Sequence, residues 1–134
     1  MQSPCRERAQ RLQDDSQGYE DVLEVREALD ELAAKIACKK ISDEQLANLK
    51  TIKDEFKRSM DSGDVKKIAE EDVKFHDAIY EATNNAKLVS MMNNIREQMY
   101  RYRVEYLKDP KNYPMLVKEH DAIYRRLRQE IWSL

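Results

Sequence analysis

Val65-Lys66-Lys67-Ile68-Ala69-Glu70-Glu71-Asp72-Val73-Lys74-Phe75-His76-Asp77-Ala78-Ile79-Tyr80 is the stretch on which the fold turns. Val65, Ile68, Ala69 and Ile79 recur in the phase of a helix, not in the alternation of a half-buried strand. This predicts a helix from about Asp64 to Ala82. Asp72 and His76 fall on the same apolar stripe, four residues and hence one turn apart. A carboxylate on a core-facing stripe is costly unless it is paired or coordinated. The helix is therefore read as a packing element that also carries a polar site.

The flanking sequence repeats the helical pattern. A first helix is expected from about Tyr19 to Lys39, with Val22, Val25, Leu29, Leu32, Ala33 and Ile36 inward. Ser42 followed by Gln45 reads as a capping box opening a second helix with the stripe Leu46, Leu49, Ile52, Phe56 and Met60. Asp61-Ser62-Gly63 breaks the chain before the third helix, and Thr83-Asn84-Asn85 ends it. A fourth helix is expected from about Ala86 to Lys108, with Leu88, Met91, Met92, Ile95, Met99, Tyr102 and Tyr106 on one side. Asp109 to Pro114 reads as a loop, because each proline disfavours helix in the residue before it. A fifth helix runs from about Met115 to the end. Residues 1–18 read as a linker or non-native remnant, or as a short helix, ahead of one domain over 19–134. Five amphipathic helices with short connections predict an all-α antiparallel bundle.

The only two histidines of the chain share a pentapeptide: His-Asp-Ala-Ile-Tyr occurs at 76–80 and again at 120–124. On the fifth helix the inward stripe is Leu116, Val117, His120, Ile123, Tyr124 and Leu127, so His120 also takes a core position. Asp72, His76 and His120 thus offer one carboxylate and two imidazoles, a ligand set suited to Zn, Ni or Mn. The alternative is a pair of satisfied core histidines with Asp72 salt-bridged to His76 or to an arginine.

Composition narrows the function. Charged residues make up 37% of the chain yet nearly cancel, giving a net charge of −2, which excludes a basic stripe for nucleic acid. Two glycines leave no phosphate-cradling loop. Two cysteines without a Cys-x-x-Cys pair, no membrane-length apolar run and no signal segment are those expected of a cytoplasmic protein.

Taken in order, Val25-Arg26-Glu27-Ala28-Leu29-Asp30, Asp72-Val73-Lys74-Phe75-His76-Asp77-Ala78-Ile79, Asn84-Asn85-Ala86-Lys87-Leu88 and Glu119-His120-Asp121-Ala122-Ile123 carry a resemblance. With Arg96, Arg101 and Arg103 on the fourth helix, the chain resembles the FCD domain over about Tyr19 to Gln129. This is the C-terminal effector-binding domain of the FadR subfamily of GntR-type bacterial transcription regulators. The resemblance implies a helical bundle whose cavity holds a divalent metal on an Asp and histidines. It implies a small carboxylate effector at or beside the metal, held with the help of arginines. Effector binding would alter the geometry of a homodimer and so the operator affinity of a winged helix-turn-helix. Carried over, Asp72, His76 and His120 are metal ligands, Arg26 and Arg103 are effector contacts, and Arg96 is a second choice. Arg101 points elsewhere and is read as solvated.

Two departures accompany the resemblance. The sequence has no winged helix-turn-helix, so operator DNA would be reached only through a missing N-terminal domain. It also stops at Leu134, without the family's last helix and the third histidine common on it. The site would then have three protein ligands plus water or effector, or a partner chain would supply the helix by exchange. Two other functions compete with the sensor. The His-Asp doublets suggest a metal-dependent hydrolase, but no histidine precedes His76, and Asp77 and Asp121 lie about 100° round their helices from the inward face. A structural helical adaptor is the other, with both histidines as core. The expectation is a non-enzymatic sensor domain.

Overall fold

The computed structural model describes residues 4–129. Five helices follow in order: α1 (Pro4–Lys40), α2 (Asp43–Ser59), α3 (Val65–Ala82), α4 (Ala86–Tyr106) and α5 (Tyr113–Gln129). No strand occurs among the described residues. The all-α bundle expected from the hydrophobic periodicity is the fold observed.

The connections are short because side chains cap the helices. Ser42 Oγ accepts from the Gln45 amide at 3.0 Å, and Gln45 Oε1 accepts from the Ser42 amide at 3.0 Å, completing the capping box. Gly63, with φ of 66°, closes the short turn after α2 in the left-handed region that glycine tolerates best. Asp64 and Asn85 accept backbone N–H groups in the first turns of α3 and α4. Replacing Ser42 with Ala is expected to cost about 1 kcal/mol. That should lower the melting temperature by about 4 °C, and a calorimetric shift near zero would show that the cap contributes nothing.

Two ends of helices differ from the reading of the sequence. α1 begins at Pro4 instead of near Tyr19, so the segment read as a linker, remnant or short helix is continuous with the first helix. Proline suits a first helical position, and Gly18 inside the helix costs only about 1 kcal/mol. α5 begins at Tyr113, two residues early, after a 3-10 turn over Pro110–Asn112 capped by Asp109. Pro114 sits in its first turn, where its missing N–H would have had no partner. The expectations for residues 130–134 lie outside the described residues.

Helix phase also required correction. Val25 and Leu32 on α1 are each 47% exposed and Met91 on α4 is 48% exposed, although all three were expected inward. Among the described side chains of α1, the buried face is instead Arg26, Leu29, Ala33, Ala34, Ala37 and Cys38. Its alanines let the backbone of α1 lie close against α3, α4 and α5, and bulkier side chains are left to the rim.

The core has two apolar clusters. One gathers Leu29, Ala33, Ala37, Leu49, Phe75, Ile79, Leu88, Met92 and Leu127; the other gathers Phe56, Ile68, Ala69, Leu107 and Leu116. From α2 to α5 each helix crosses between the clusters in the sense opposite to the helix before it, which is the antiparallel arrangement. On α3, Asp72 and His76 fall between Ala69 and Ile79; on α5, His120 falls between Leu116 and Leu127. The bundle therefore carries a polar layer sandwiched between two apolar ones.

Candidate metal centre and effector cavity

α3 supplies Asp72 and His76 one turn apart, and α5 brings His120 to meet them. The three residues are 2, 6 and 1% exposed respectively, so water does not satisfy them. His120 Nε2 lies 2.8 Å from Asp72 Oδ1, and His76 Nε2 lies 3.5 Å from the same oxygen. The three potential ligand atoms all fall within 4.8 Å of one another. The His120 ring is fixed by stacking on Phe75, with centroids 4.0 Å apart and planes 12° apart, and by Phe56 at 4.2 Å. Its Nδ1 is buried with no hydrogen-bond partner among the described residues.

Both arginines named first in the sequence reach this cluster. Arg103 Nε on α4 donates to Asp72 Oδ2 at 2.9 Å, leaving Oδ1 to the imidazoles. Arg26 on α1, itself buried, places Nη2 3.3 Å from His76 Nε2 and donates from Nε to Asp30 Oδ2 at 3.1 Å. Tyr80 OH donates to the other oxygen of Asp30 at 2.6 Å. Arg96 turns away: Nη1 meets Asp77 Oδ2 at 2.6 Å, and Nε and Nη2 meet Asn93 Oδ1. Asp121 pairs with Lys53 at 2.9 Å, so neither aspartate that follows a histidine belongs to the cluster. Arg101 is exposed.

Electrostatics follow from this packing. Burial alone would raise the pKa of Asp72, but the field of His76, hydrogen bonds from both histidines and the Arg103 charge hold it well below the usual carboxylate range. For His76, burial is outweighed by the adjacent Asp72 carboxylate, and the pKa rises. For His120, burial prevails and the pKa falls. Burial and the Asp30 charge push the Tyr80 phenol far up, so it remains a donor to Asp30. One carboxylate thus cannot keep both imidazoles charged, and at neutral pH at least one nitrogen of the cluster presents a lone pair.

The donor set fits a divalent cation. Two ligands bound to tetrahedral zinc at about 2.05 Å stand about 3.3 Å apart. The 3.5 Å separation of His76 and Asp72 is close to this, whereas the 2.8 Å of His120 and Asp72 would have to open by about half an ångström. A small chamber of about 30 Å³, about one water's share of liquid volume, lies against Asp72 and His76. A larger cavity of about 240 Å³ is lined by Leu23, Glu27, Asp30, Tyr102, Tyr106 and Glu119. Arg26, Met99 and Arg103 line both.

Asp30 and Tyr80, which hold Arg26 in place, were not picked out from the sequence. The spacing of Arg26 and Asp30, four residues apart on one helix, was the available signal. Nothing comparable marks Tyr80, fifty residues from Asp30.

A helical bundle enclosing a buried Asp–His–His cluster beside a charged cavity has the anatomy of a small-ligand sensor. The FCD domain profile matches residues 21–131, and the chain belongs to this family of effector-binding domains from GntR-type transcription regulators. No match was found among curated proteins or among solved structures. Among the described residues no helix is long and apolar enough to cross a membrane.

Proposed function

We propose that the chain, over residues 19–134, is the ligand-sensing and dimerisation domain of a FadR-subfamily regulator. In this reading Asp72, His76 and His120 hold a divalent metal, and the adjoining cavity takes a small carboxylate. A divalent cation there would offer open coordination positions to a carboxylate oxygen. Arg103 orients Asp72 so that Oδ1 faces the imidazoles. Arg26 and Arg103 form the cationic wall of the larger cavity, with Arg96 a secondary group on the wall of the small chamber. Glu27 and Glu119 line the same cavity, so the anionic end of the ligand belongs at the arginine wall. A volume of about 240 Å³ accommodates a small acid.

The protein would act as a homodimer in the cytoplasm, with effector occupancy altering operator binding by a winged helix-turn-helix. The observation that carries this reading is the convergence of the chain's only two histidines on one buried carboxylate. The hydrolase alternative loses support because Asp77 and Asp121 are occupied by Arg96 and Lys53. The adaptor alternative gives no reason for a buried and a partly buried guanidinium beside a cavity.

Elemental analysis after incubation with zinc and desalting tests the site. One equivalent is expected to remain on the wild type, with a loss of at least about tenfold in affinity in His76→Ala and in His120→Ala. A wild type that retains no zinc, nickel or manganese sinks the metal reading. Further thermal stabilisation of the metal-loaded protein by small carboxylates would support the effector assignment.

A further inference from the structure

The geometry points to Arg26 as the group that couples the two chambers: the His76 nitrogen a metal needs is the one that Arg26 Nη2 faces at 3.3 Å. The inference rests on the metal and carboxylate reading above. A guanidinium has only protons to offer, so in the tautomer a metal needs, with the lone pair on Nε2, Arg26 Nη2 at 3.3 Å donates to that nitrogen. One lone pair cannot serve an N–H and a cation together. A cation bound to Nε2 at about 2.1 Å would also stand within about 5 Å of the guanidinium, repelling it. Metal occupancy therefore requires Arg26 to withdraw.

The surroundings determine where it goes. Arg26 Nε is bonded to Asp30 Oδ2, and Tyr80 holds the other Asp30 oxygen, so Asp30 is the pivot about which the planar guanidinium turns as a unit. Arg26 already lines both chambers. On the far side the released Nη groups meet the cavity also lined by Arg103, which spends its Nε on Asp72 and lies over the Tyr106 ring. Two guanidiniums then face one small cavity, a seat for a single carboxylate. Metal entry thus strengthens the anion site, and by linkage the anion must tighten the metal to the same degree.

Zinc affinity, measured by calorimetry with and without acetate as the probe anion, tests this. In the wild type acetate is expected to tighten zinc about tenfold. In Arg26→Gln, zinc alone should bind about tenfold more tightly than to the wild type, because a competing charged donor is gone, and the acetate effect should vanish. Arg26→Lys keeps a cation next to Asp30 but shortens the reach. It should show the tighter zinc with part of the acetate effect, and it decides the matter alone if circular dichroism finds Arg26→Gln unfolded. Zinc affinity that is unchanged or weaker in these variants overturns the coupling, as does an undiminished acetate effect in Arg26→Gln. A wild type that binds no zinc overturns the metal reading and this inference with it. Zinc binding indifferent to Arg26 overturns the coupling alone.

Discussion

Replacing Asp72 with Ala is expected to destabilise the bundle by about 3–5 kcal/mol, although the substitution removes little volume. The side chain is 3% exposed and lies where α3, α4 and α5 meet: Oδ2 takes the Arg103 hydrogen bond and Oδ1 lies against His120 and His76. Without it, Arg103 loses the carboxylate it is bonded to in the protein interior, while Arg26 keeps its pair with Asp30. Stranding one member of a buried ion pair costs far more than the pair contributes net. Asp72→Asn keeps the shape and one acceptor oxygen, so its loss should be nearer 1–3 kcal/mol, roughly that of a weakened charged hydrogen bond.

The pH dependence separates the two contributions. The pKa of Asp72 is depressed in the folded state against an unfolded value of about 3.9. Its ionisation therefore contributes stability that is present above the unfolded value and lost as the pH falls through the folded one. The wild type should lose urea resistance steeply below about pH 4, and Asp72→Asn, lacking that proton, should lose less over the same range. Equilibrium urea unfolding at neutral and acid pH gives both numbers. A neutral-pH loss below about 1 kcal/mol for Asp72→Ala would mean that Asp72 is not the hub of the polar layer.

Why Asp72, His76 and His120 could be found from sequence, and the Asp30–Tyr80 bond could not, has a physical basis. Helical phase is local: four residues on one helix put Asp72 below His76 whatever surrounds them. His120 took its place from the phase of its own helix in the same way. The Asp30–Tyr80 bond joins α1 to α3 and depends on how those helices are rotated about their axes. That rotation was misread for α1, because Val25 and Leu32 outrank alanine in hydrophobicity. In the bundle, the small Ala33 and Ala37 allow closer approach, and the buried stem of Arg26 occupies the same face. α3 shows the opposite error. Packed on α1, α2 and α4, it buries a wider arc than one stripe, which is why Phe75 is fully buried beside the expected Asp72 and His76. The N-terminal extent of α1 escaped because polar sequence without a proline after Pro4 is compatible with either helix or linker.

Zinc at about a hundred times its dissociation constant is expected to raise the melting temperature of the wild type by about 10 °C, since such an excess adds about 2.7 kcal/mol. The increment should vanish in His120→Ala, where the Phe56–Phe75 sandwich loses its ring, and in Asp72→Asn, where the anionic ligand is gone. Its pH dependence follows from which ligand holds a proton. Asp72 stays ionised far below neutrality, and burial keeps His120 neutral below its ordinary value. His76 is the exception, because the Asp72 carboxylate raises its pKa in spite of burial. Protons therefore compete for one ligand first. As the pH falls through the raised His76 value, beginning above 6.5, zinc affinity should drop about tenfold per unit, or about 1.4 kcal/mol. At fixed zinc the thermal increment should shrink by about 5 °C per pH unit. A slope of two protons over the range from about pH 8 to 6 would show both imidazoles titrating together, contrary to their unequal surroundings. An increment that persists in Asp72→Asn would place the zinc elsewhere on the protein, because no other carboxylate oxygen stands between the two Nε2 atoms of this cluster among the described residues.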